Sequence, residues 1–111
     1  MEFSHEMIVC IVNAGFSDTV MTAAKAAGAT GGTVVKARGT ASVDAEKYYN
    51  ITVSPEKEMV MILVTADKKD DILKAVYQSA GLNTDGNGIA FALPVDEIVG
   101  LAERHKEKES K

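Results

Sequence analysis

Much is scarce in this 111-residue chain, and each scarcity excludes something. There is no tryptophan, and fifteen of the apolar residues are alanines. The apolar fraction of 46% therefore carries only a modest area, and one copy alone would be marginally stable. A single cysteine, Cys10, excludes an intramolecular disulfide and makes a cytoplasmic address the default. The longest apolar runs, Met7–Val12 and Met59–Val64, are too short to span a bilayer. The N-terminus has no basic start and no small-residue cleavage site after an apolar run, so it does not read as a signal peptide. Twelve basic residues against sixteen acidic ones give a charge of −4, the wrong sign for a non-specific nucleic-acid binder. His5 and His105 lie near opposite ends in polar surroundings, with no cluster at metal-ligand spacing.

What is present has a clear order. Glu6–Asn13 is apolar and β-branched and reads as a strand. Ala14-Gly15 turns the chain. Ser17 or Asp18 is the expected cap of a helix, with Phe16 as its staple and Val20, Met21, Ala24 and Ala27 as its apolar stripe. Gly28 suits the position just past that helix. Gly31–Arg38 and Lys57–Thr65 read as the second and third strands. Asp67 is the expected cap of a second helix, in which Ile72, Val76 and Ala80 share a face with Leu73 and Tyr77, and Gly81 ends it. Ile89–Leu93 is the fourth strand, closed by Pro94, and a short last helix is expected over Asp96–Arg104.

The resulting βαββαβ order is the ferredoxin-like split βαβ arrangement, an α+β sandwich with an antiparallel sheet. Its central strands are the first and third, the two with unbroken apolar runs. Strands without a polar face need cover on both sides, and two helices cover one. The other face is expected to pack against further copies of the chain; the competing reading folds the C-terminal segment across it. One domain is placed over residues 1–103, with a charged tail over 104–111.

Two connections invite a functional reading. The eighteen residues Gly39–Glu56 are long for a link between neighbouring strands, and they include Tyr48, Tyr49, Ile51 and Val53. They read equally as a loop that contacts a ligand or partner and as a protruding hairpin. Asp85-Gly86-Asn87-Gly88 precedes a strand, and its glycines allow backbone N–H groups to converge on an anion, although the same letters also make a plain turn. The glycines of Gly28–Thr33 lie between a helix and a strand, the reverse of a Walker loop, and serve a cap and a turn. Cys10 reads as a small core residue. No nucleophile, acid or base cluster proposes an enzyme.

The stretches GATGGTVVKARGT (Gly28–Thr40) and PEKEMVMILV (Pro55–Val64), with the long loop and the second glycine loop, resemble the nitrogen-regulatory P-II signalling proteins, most closely their small P-II-like branch. The resemblance runs from about Met7 to Leu101. It implies a cytoplasmic homotrimer of ferredoxin-like subunits, not an enzyme, that takes an adenine nucleotide (ATP, ADP or AMP) between subunits. It implies further that the long loop docks on a partner such as a membrane transporter or a metabolic enzyme of nitrogen metabolism. By this resemblance Thr33, Gly39, Thr40, Ala41, Val64, Gly86, Asn87 and Gly88 match cleft positions. Arg38 is the cation placed nearest the loop; like Lys36 it shares a strand face with Val34, and either also reads as a solvent-facing residue. Tyr48 and Tyr49 lie in the partner-binding loop. The sequence departs from the family where Ile89 replaces the phosphate-loop lysine and where Ala41-Ser42-Val43 lacks the glutamine associated with 2-oxoglutarate. The pair of arginines expected near the C-terminus is also missing from Ile98–Arg104. A metal-binding trimer of the same architecture and a small ferredoxin-like enzyme are the alternative readings.

Overall fold

A computed structural model describes residues 3–40, 56–79, 81–82 and 88–100. Four strands and two helices follow in the order β1 (His5–Asn13), α1 (Ser17–Ala26), β2 (Thr33–Arg38), β3 (Glu56–Thr65), α2 (Lys69–Ser79) and β4 (Gly88–Val95). A 3-10 turn, Ala66–Lys68, leads into α2. The sheet order is β2-β3-β1-β4, and every neighbouring pair is antiparallel. The two apolar runs are thus the central strands, as the ferredoxin-like arrangement requires.

Strand periodicity divides those runs between two environments. The register sets Ile8 opposite Ile62 and Cys10 opposite Val60, and these residues are fully buried. With Val12 and Val64 they meet Val20 and Ala24 of α1 and Ile72 and Val76 of α2 in one core. The alternate residues, Met7, Val9, Ile11, Met59, Met61 and Leu63, face away from the helices. Ile89, Phe91 and Leu93 of β4 lie on that second face, 58%, 39% and 51% exposed.

Helix ends depart from the expected chemistry. Phe16, not Ser17 or Asp18, occupies the N-cap of α1, and no side chain of the cap residue bonds there. A carboxylate from β3 does that work instead: Glu58 Oε1 accepts from the backbone N–H of Gly15 at 2.9 Å and of Ser17 at 3.2 Å. At the other end the expectation for Gly28 is met. Its φ is +118°, its N–H donates to Lys25 O, and Ala29 N–H donates to Ala24 O, the paired bonds of a Schellman ending. Asp67 falls inside the 3-10 turn rather than at a cap, with Thr65 preceding it.

Two expectations near the C-terminus are corrected. Strand β4 runs through Pro94 to Val95. Proline lacks an N–H, yet β4 is an edge strand with only β1 beside it, so no second ladder is broken. The last helix is not found over 96–100, the described part of its expected range, where the chain is irregular and ends on a bend at Val99-Gly100. The rest of that range and the tail at 104–111 lie outside the described residues.

Candidate functional site

Antiparallel pairing brings four chain segments to one end of the sheet. These are the last residues of β1 and β2 and the first of β3 and β4. Asn13 pairs with Lys57, Arg38 with Glu56 and Lys36 with Glu58, and Gly88 lies opposite Val12. Gly39 and Thr40 continue from β2 at this end, where the long loop departs, and Glu56 is where it returns.

The returning residues are tied to the β1–α1 turn one after another. Ala14 N–H donates to Glu56 O at 3.2 Å. Lys57 Nζ donates to Asn13 Oδ1. Glu58 takes the two amides of Gly15 and Ser17, and those bonds, chiefly the one from Gly15, hold its carboxyl below the usual range. The Lys57 stem also lies against Gly39, where an added Cβ would stand 3.0 Å from Lys57 Cε. Sequence reasoning missed Asn13, Lys57 and Glu58 as members of this end. Their signal was three polar residues at the rims of apolar runs, and only the register says whom they meet.

The expected cleft residues are not all together. Gly39, Thr40 and Arg38 stand at the β2 edge and Gly88 at the β4 edge of the same end. Two central strands separate them, about 14 Å at ordinary strand spacing. Thr33 starts β2, opposite Met61, and is exposed, some 20 Å along the strand from Gly39. Val64 is farther still in that direction and is 5% exposed, facing the helices in the core. Gly88 has a structural duty of its own. Its φ is +142°, and a Cβ there would come within 2.3 Å of Ile11 O. Ala41, Tyr48, Tyr49, Gly86 and Asn87 lie outside the described residues.

A shallow groove of about 370 Å³ runs between α2 and the start of β4, lined by Leu73, Tyr77, Leu82 and Ile89. Among the described residues no group of three or more His, Cys, Asp or Glu is placed to hold a metal ion. None of the described helices is long and apolar enough to cross a membrane.

Strand order, antiparallel register and two helices on one face define a ferredoxin-like α+β subunit. The comparisons with known proteins narrow this. The sequence profile of the family described as nitrogen regulatory protein P-II matches residues 5–105, and the chain belongs to that family. Among solved structures it is similar to Arabidopsis thaliana PII bound to citrate, with a TM-score of 0.70 and 21% identity over 91% of this chain and 83% of that one. That likeness concerns the fold. No curated protein sequence matches the chain.

Proposed function

We propose that this chain is a subunit of a homotrimeric, non-enzymatic signalling protein of the cytoplasm. It binds a small anionic effector between subunits and passes the bound state to a partner through the segment that leaves at Gly39 and returns at Glu56. Membership of the P-II family supports this reading. So does the observation that carries it: the two glycine-bearing edges, Gly39–Thr40 and Gly88, lie at the same end of the sheet but on opposite sides. One chain cannot close a cleft between them, whereas the β2 edge of one copy set beside the β4 edge of another can. The apolar face away from the helices is the surface on which copies would meet.

The effector we favour is an adenine nucleotide with few phosphates. Lys36, Arg38 and Lys57 at the described end are accompanied by Glu56 and Glu58 in the same register, so its net positive charge is small. Ile89 stands where a phosphate-binding lysine would follow the glycine loop. Backbone N–H groups of residues 86–88 would then carry most of the anion. A transporter or an enzyme of nitrogen metabolism is the partner class this implies.

A thermal-shift screen tests the reading with AMP, ADP, ATP, cyclic AMP, 2-oxoglutarate, bicarbonate and citrate. A ligand at a hundred times its Kd stabilises the folded state by about 2.7 kcal/mol. AMP or ADP is expected to raise the melting temperature by several degrees, more than ATP does. No shift with any of them at millimolar concentration overturns the effector reading.

A further inference from the structure

We infer that His5 makes assembly of this chain pH-sensitive, because it is the only imidazole among the described side chains of the open sheet face, and protonating it opposes burial of that face against another copy. The inference rests on the assembly proposed above. His5 begins β1 opposite Thr65 of β3 and Val95 of β4. It is partly buried in the single chain, and its Nδ1 lies 3.0 Å from Ser4 Oγ. One step inward on the same face come Met7, Leu63 and Leu93.

The charged groups around it offer an imidazolium little. Glu6, its chain neighbour, turns to the helix face and meets Lys69 of α2 at 3.9 Å. Asp67, in the turn after β3, accepts a hydrogen bond from the Thr65 hydroxyl. Asp96 follows Val95 and is exposed. Lys57, the other charged residue on the open face, stands at the far end, eight residues along the strand, too far to act on His5. No described carboxylate lies on the face itself. If copies meet there, a neutral imidazole is buried at little cost, whereas a charged one loses hydration with no partner to replace it. Assembly then favours the neutral ring, and it weakens as pH falls through the imidazole range. A single imidazole forced to stay neutral weakens assembly at pH 5.5 by at most about tenfold, so three set a ceiling of about a thousandfold.

Sedimentation velocity of the full chain at micromolar concentration, at pH 7.5 and 5.5, tests this beside the variant His5→Gln. The wild type should be a trimer at pH 7.5 and dissociate at pH 5.5 with its circular dichroism retained. The variant should assemble equally at both. Comparing the two separates His5 from His105. Equal assembly of the wild type at both pH values, or an unchanged pH response in the variant, overturns the inference and leaves the trimer standing. A monomer at both pH values overturns the assembly reading as well. NMR titration of His5 in the assembled wild type gives an answer independent of the variant's folding: a pKa at or above about 6.5 sinks the idea.

Discussion

A glycine at a candidate site is ambiguous until its surroundings are known, and here two glycines fall on opposite sides. At Gly88 the backbone of β1 fills the space a side chain would need, and φ of +142° is strained for any other residue. Gly88→Ala should cost about 3 kcal/mol or more. Its melting temperature should fall by over about 10 °C, with or without ligand. Lost binding in that variant would say nothing about ligand contact. At Gly39 a Cβ meets only the flexible Lys57 stem. Gly39→Ala should change stability by less than about 1 kcal/mol, so a loss of effector binding there is a binding effect. Thermal melts of both variants check the contrast, and equal destabilisation contradicts it. Cys10 shows the same logic in the core. It is fully buried, and burial pushes its thiol up to about 11. A thiol reagent at pH 8 should therefore label the native protein no faster than it unfolds, and labelling within minutes would show the core to be open.

Among the elements, the start of β3 ties the long loop to the rest of the subunit. Glu56, Lys57 and Glu58 each hold a group of the β1–α1 turn, so displacement of the loop's return stem pulls on the first turn of α1. The Glu58 carboxyl is depressed in the folded state, mainly by the Gly15 amide. Its stabilising effect is therefore full above the ordinary value of 4.5 and is lost as pH falls through the lower folded value. Glu58→Gln should melt lower than the wild type at pH 7, and the gap should close in acid. A gap that stays constant down to pH 3 would mean that the carboxylate charge is not what holds the turn. The four strands and both helices were legible, because unbroken apolar runs and helical stripes are local signals. The cap on α1 was not, because its donor and acceptor are more than forty residues apart in the chain. Pro94 misled because a proline ends a central strand but not an edge one, and edge position belongs to the sheet. Of the expected site residues, Gly39, Thr40, Arg38 and Gly88 share an end, whereas Thr33 and the buried Val64 sit toward the other, because only the register decides which strand ends meet.

For the whole molecule, the decisive quantity is the apolar face the helices leave open. Val9, Met61 and Phe91 stand side by side at its middle, since Val9 is opposite Met61 on β3 and Phe91 on β4. In one chain Phe91 is 39% exposed, so a polar substitution there should leave the subunit folded. In a trimer closed over this face the same ring is buried three times. Burying a phenylalanine side chain is worth about 1.5–3 kcal/mol, and a glutamate in its place both forfeits that and brings an unpaired charge into the interface. With only 39% of the ring left exposed by one chain, assembly gains about 1 kcal/mol per subunit from it, so Phe91→Glu should weaken the trimer by about a hundredfold or more, about 3 kcal/mol over three subunits. Light scattering at micromolar concentration should then return a monomer mass, with a far-ultraviolet circular dichroism spectrum like that of the wild type. If the effector sits as proposed between Gly39–Thr40 of one copy and Gly88 of another, its binding should disappear with the trimer. A variant that stays trimeric would place the interface elsewhere, and a monomer that still binds the effector would place the site within one chain.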